Sequence, residues 1–161
     1  MKNTEQCSLS ASKFVTCLPW PWIFFGFTLV STAYFMNSGE SFWLSYLRSL
    51  VFFNGGIQCL WAALGHLVFP LQTAQKIGWQ SNGFQTEIGG VNIAFGITGV
   101  LSFLFLGWIV PVGLMLTIFY SSCIYAHIRE RMNTGRKASL MCLNTGIVVV
   151  SIASALIVLM R

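Results

Sequence analysis

Charged residues punctuate this chain at wide intervals, and between them run neutral, largely apolar stretches from Phe14 to Gly39, Ser49 to Gln75, Ile88 to Ile128 and Ala138 to Met160. About 20 apolar residues in a helix cross a hydrocarbon core, so each stretch is long enough to span one. The third is about twice that length, and Gly107-Trp108 followed by Pro111 supplies a turn and a helix start inside it. The pattern predicts an all-α integral membrane helical bundle with five transmembrane helices in a single domain. The spans fall near residues 18–37, 43–69, 85–106, 109–128 and 139–160. An alternative takes the first span as a cleaved signal peptide ending near Ser31-Thr32-Ala33, leaving four. Against it, the run is longer than an ordinary signal core, and Pro19-Trp20-Pro21-Trp22 has the character of a headgroup-level stretch. The second span is long enough to tilt or bend, and Gly55-Gly56 is the place for a bend.

Charge orients the bundle. With five spans, Lys2, Lys13, Lys76, Arg129, Arg131, Arg136 and Lys137 share one side, while Arg48 and Arg161 fall toward the other. Basic residues collect on the cytoplasmic side of inner-membrane proteins. The expected placement is therefore the cell inner (plasma) membrane, multi-pass, with the amino terminus and the 70–84 and 129–138 loops cytoplasmic and the carboxyl terminus outside.

Composition narrows the function. The 161 residues are 55% hydrophobic and 8% charged, with a mean hydropathy of +0.72 and a net charge of +5. No aspartate occurs, and glutamate is confined to Glu5, Glu40, Glu87 and Glu130. Paired-carboxylate chemistry and an aspartate-supported serine triad have little to work with, so no catalytic residues are assigned. The positive charge lies in short loops, where membrane orientation explains it, and no nucleic-acid partner is expected. Cys7, Cys17, Cys59, Cys123 and Cys142 show neither C-x-x-C pairing nor ligand spacing, so no metal site is expected. They read as small buried apolar residues.

Polarity inside the spans is sparse and ordered. Gln85, Gly89, Asn92, Gly96 and Gly99 recur at steps of four, three, four and three, which places them on one stripe of a helix. Gly89, Gly96 and Gly99 predict a packing seam with Asn92 bonding a neighbour, and the same stripe also suits a polar pathway. Glu87 sits just inside the start of that helix, where the dipole favours a negative charge. His66 and His127 lie at the inner ends of the second and fourth spans, at about the depth of Glu87. The candidate polar cluster is thus His66, Gln85, Glu87, Asn92 and His127. It reads either as a structural tie or as a site for protons or a polar head group. Two histidines as haem ligands would require a porphyrin-sized gap between spans, and no cofactor is expected.

Two smaller features complete the reading. Residues 71–83 read as an interfacial segment, with Leu71, Ala74 and Ile77 at steps of three and Trp79 as anchor. Asn82-Gly83-Phe84-Gln85 has the form of a cap that starts the third span. Asn54 and Gln58 share a face of the second span, and Arg48 either snorkels outward or pairs with Glu40.

Gly65-His66, Pro70, Ile77-Gly78-Trp79, Phe84-Gln85, Glu87, Gly89, Asn92 and Gly96 together form a pattern. It resembles an uncharacterised family of small bacterial multi-span membrane proteins, in which a His-containing helix, an I-G-W turn and an F-Q-x-E-x-G-x-x-N helix follow in order. The resemblance covers roughly residues 50–135, and His127-Ile128 with Asn133 is similar to its later part. It implies a fold and no reaction. The chain departs from the pattern in its last helix, which has neither the acidic residue nor the proline often found there.

The leading expectation is a non-enzymatic helical bundle that binds a ligand, lipid or partner helix at its cytoplasmic polar cluster. Its partners would be the lipid bilayer and a second copy or another membrane protein. The alternatives are a small oligomeric transporter or proton-coupled permease, and a quinone- or haem-linked membrane redox subunit.

Overall fold

Gly39 ends the first helix, α1 (Trp20–Asn37), by taking a left-handed backbone with φ of 94°. The Glu40 N–H bonds the Phe35 carbonyl at 3.1 Å and the Gly39 N–H bonds the Met36 carbonyl at 3.0 Å. These two bonds satisfy carbonyls that the helix end leaves free, and glycine is the residue that reaches this geometry without a Cβ penalty. The chain reverses within four residues into α2 (Phe42–Val68). The computed structural model describes residues 20–77, 79–130 and 136–160, and all regular structure among them is helical. Lys2, Cys7, Lys13, Cys17, Pro19, Gly78, Arg131, Asn133 and Arg161 lie outside the described residues.

α2 is one continuous rod whose middle, Val51–Ile57, is π-helical. There the Gln58 N–H reaches back five residues to the Phe53 carbonyl. The expected bend at Gly55-Gly56 is taken up as this wider turn, for which two glycines offer little steric resistance. α3 (Pro70–Ile77) follows after a break at Phe69, with proline at its first position, where no backbone donor is needed. Ala74 is buried under it while Leu71 is 62% exposed. The Trp79 N–H closes back on the Ala74 carbonyl at 2.9 Å.

α4 (Phe84–Leu101) begins where the Asn82 side-chain oxygen accepts the Phe84 N–H at 3.0 Å. It stops five residues short of the expected end. The Ser102 hydroxyl donates to the Gly99 carbonyl at 2.7 Å, and Phe103 and Leu104 N–H groups tighten onto carbonyls three residues back. Local bonding of this kind competes with a further helical turn. A short 3₁₀ turn (Leu106–Trp108) then leads into α5 (Ile109–Glu130), followed by α6 (Arg136–Leu159).

α2, α5 and α6 enclose the main core, in which Leu47, Leu50, Leu116 and Ile152 are fully buried. α1 packs on the first half of α2, and α4 on its second half. The outer surface is apolar as well: Val30 is 70%, Ile118 61% and Val150 65% exposed. Helices apolar on every side are at home in the core of a large protein or in a bilayer. Among the described residues, two stretches, Phe42–Val68 and Leu106–Arg129, are long and apolar enough to cross a membrane.

Candidate functional site

The stripe on α4 coincides with its buried face: Gln85, Gly89, Asn92, Gly96 and Gly99 are the buried residues of that helix. A Cβ added at Gly89 would lie 2.5 Å from Leu67, one at Gly96 2.6 Å from Leu60, and one at Gly99 2.6 Å from the Gly56 backbone nitrogen. Positions 56, 60 and 67 of α2 thus face 99, 96 and 89 of α4, so the two helices run antiparallel at near backbone contact. Among the described residues, Asn92 makes no bond to a neighbouring helix. Its Nδ2 donates to the Ile88 carbonyl one turn back, at 2.9 Å. The carboxamide is thus satisfied within its own helix.

At the end of this seam toward α3, the Trp79 and His127 rings stack with centroids 5.0 Å apart. The Thr73 hydroxyl donates to the Gly65 carbonyl at 2.8 Å, fixing α3 against the end of α2. Gln85 is buried, and its Oε1 accepts the Ser81 hydroxyl at 3.2 Å. Two buried atoms here, His66 Nδ1 and Gln85 Nε2, have no hydrogen-bond partner among the described residues. From the pairing of Leu67 with Gly89, the two residues lie roughly one and a half helical turns apart along the bundle.

The structure sets His127 against Trp79 and leaves Glu87 out. Glu87 is exposed, and it makes no hydrogen bond or ion pair among the described residues. Two residues on from Gln85, it lies about 200° round the helix, on the face opposite the seam. The sequence marks Trp79 only as an anchor; its stacking partner is more than 40 residues away, and local pattern carries no trace of such a pairing.

The π-turn holds a second polar group. Asn54 is fully buried; its Nδ2 donates to Thr28 Oγ1 at 2.8 Å, and the Tyr120 hydroxyl donates to its backbone carbonyl. Cys59 Sγ lies 3.2 Å from the same hydroxyl. Ser49 Oγ donates to Ser31 Oγ at 3.0 Å, which ties α2 to α1. Thr28 and Thr32, and Ser45 and Ser49, recur at steps of four in otherwise apolar helices, and that spacing was the available signal for a polar face. We expect Tyr120→Phe to lower stability by about 1–2 kcal/mol, because it leaves a buried carbonyl without its donor. Thermal unfolding in detergent measures this, and an unchanged midpoint would show that the bond contributes nothing.

At the opposite end of the bundle from Trp79, Arg48 pairs with Glu40 at 2.7 Å. Its guanidinium lies over the rings of Phe35 and Phe103, 4.3 and 4.6 Å from their centroids, and reaches the Phe103 carbonyl at 3.4 Å. Glu40 Oε2 accepts the Ser45 hydroxyl at 3.0 Å. Of the two readings of Arg48, the pair with Glu40 is the one realised.

A family of unknown function (DUF6790) matches residues 14–161. The chain belongs to this family. The DUF6790 match takes in every described helix, and so extends to α1 and α6 beyond the 50–135 region of the motif pattern. It carries no assigned activity to either polar group. No curated protein and no solved structure matches the chain.

Proposed function

We propose that this DUF6790 member is a five-span inner-membrane protein without catalytic activity that holds a phosphate-bearing lipid head group at its cytoplasmic end. The observation that carries the reading is the pair of buried, unpartnered nitrogens, His66 Nδ1 and Gln85 Nε2, at one end of the α2–α4 seam. The Gln85 nitrogen is a donor and His66 Nδ1 can be one, so the complementary ligand is a hydrogen-bond acceptor. Arg129 is exposed at the same end, and Arg131, Arg136 and Lys137 follow it closely in sequence. Positive charge at this end favours an anion, and an anionic head group is the one a bilayer presents there.

The alternation of helix ends supports five spans. The turn after α1 and the turn after α4 meet at Arg48 and Phe103, whereas the loop after α3 meets the end of α5 at Trp79 and His127. At 1.5 Å per residue, an 18-residue helix such as α1 or α4 is about 27 Å long, close to the thickness of a hydrocarbon core. The excess of basic residues then puts the Trp79 end inside and the carboxyl terminus outside.

Native mass spectrometry of the full chain, released from nanodiscs of mixed phosphatidylglycerol and phosphatidylcholine, tests the proposal. The wild type should retain phosphatidylglycerol in preference. Gln85→Leu and His66→Phe should each weaken retention about tenfold, the worth of one hydrogen bond to a charged group. Competition with inorganic phosphate separates a head group held through its lipid from a free anion. Equal retention by wild type and by both folded variants would remove the site from consideration.

A further inference from the structure

We infer that the π-turn of α2 holds an internal water molecule between the side-chain amides of Asn54 and Gln58, near the middle of the bundle. Asn54 is 0% exposed, yet its Oδ1 has no hydrogen-bond partner among the described residues, and neither does the buried Oε1 of Gln58. The two residues are four apart across the end of the π-turn, so their side chains leave the helix on the same face. A buried carbonyl oxygen without a donor is costly, and native interiors answer such groups with protein or with water.

The surrounding donors are committed elsewhere. The Tyr120 hydroxyl goes to the Asn54 backbone carbonyl. Thr28 Oγ1 points at the Phe24 and Ser49 carbonyls, at 3.1 and 3.5 Å. The Ser49 hydroxyl goes to Ser31 and the Ser45 hydroxyl to Glu40. Whatever satisfies the two oxygens therefore comes from outside these side chains.

The chemistry of the site selects water over a cation. Both unpartnered groups are neutral amides, and the Glu40 carboxylate, just before the start of α2, is engaged by Arg48 and Ser45. A cation would sit in a low-dielectric interior without a counter-charge. Turning the Asn54 amide over changes which of its ends lacks a partner and leaves one lacking. Water suits either orientation, because it both donates and accepts, whereas a cation suits only one.

Two measurements on the full chain in lipid test this. In the wild type, the Asn54 and Gln58 side-chain amide protons should show NMR cross-peaks to a long-lived water. Gln58→Leu removes one of the water's partners and leaves the Asn54 oxygen unsatisfied, so the thermal midpoint should fall by about 2–4 °C. A turn that excludes water predicts the opposite sign, since the apolar side chain would then relieve an unsatisfied group. Absence of the water cross-peaks, or a midpoint that rises, overturns the inference. If Gln58→Leu gives no folded protein, Gln58→Met, closer to glutamine in shape, takes its place with the same expected sign.

Discussion

Gly99→Ala should be the most damaging single methyl addition along the α2–α4 seam. The new Cβ would lie 2.6 Å from the Gly56 nitrogen and 2.8 Å from its Cα, with the Gly55 carbonyl carbon at 3.0 Å. At Gly89 the nearest atoms belong to the side chain of Leu67, and at Gly96 to that of Leu60, which can rotate aside, with the Leu60 backbone nitrogen next at 3.0 Å. At Gly99 they are backbone, so one helix must move. We expect a loss of about 3 kcal/mol, at the upper end for overpacking. Gly90→Ala on the same helix is the control: nothing lies within 4 Å of its Cβ, and alanine improves helix propensity. The pair should therefore move the midpoint in opposite directions in a thermal-shift assay on detergent-solubilised protein. If both variants behaved alike, the seam would not be the tight contact described.

The second large effect belongs to Arg48. Its side chain is 16% exposed and that of Glu40 22%, so the pair is only partly screened by solvent. Arg48→Ala removes the ion pair, the bond to Phe103 and the cation held between two rings, and leaves the Glu40 carboxylate with Ser45 alone. Together these amount to about 2–4 kcal/mol, discounted from a fully buried pair. Much of that loss comes from the stranded carboxylate. Adding Glu40→Gln to the alanine variant should recover part of it, and a double-mutant cycle gives the coupling directly. Arg48→Lys should fall between, since an ammonium keeps the charge and loses the planar fork that lies against Phe35 and Phe103. Additive losses in the cycle would mean that the two side chains act independently.

What the sequence made legible depended on how far apart the interacting residues are. The α4 stripe could be seen because helical period alone places Gln85, Gly89, Asn92, Gly96 and Gly99 on one face, and the partner has only to come close. Likewise, Gly55-Gly56 marked the irregular turn of α2, since two glycines weaken an α-helix wherever they stand. The end of α4 is hard to see in the sequence because Gly107 and Pro111 are conspicuous and Ser102 is not, although its hydroxyl bond to Gly99 lies where the helix stops. Depth along the bundle groups Glu87 with the histidines, whereas helical phase separates it from Gln85. Tyr120 is different. Its bonds to Asn54 and Cys59 join residues more than 60 positions apart, and nothing on α5 distinguishes it from a headgroup-level tyrosine. Long-range polar pairs of this kind become visible only after the helices are packed.

The π-turn also bears on how this chain tolerates insertion and deletion. A ring closed over five residues contains one more residue than an α-helical ring, so Val51–Ile57 carries a surplus position within α2. Deleting one residue there would restore an uninterrupted α-helix and keep its two halves in nearly their present phase, because the wide turn already absorbs the rotation of about 100° that one extra α-helical residue would add. Ser45 and Ser49 would still meet Glu40 and α1, and Leu60 and Leu67 the glycines of α4. Tightening the turn without a deletion would instead swing the second half by about 100°, so the wide turn is what lets one helix present correct faces to two different neighbours.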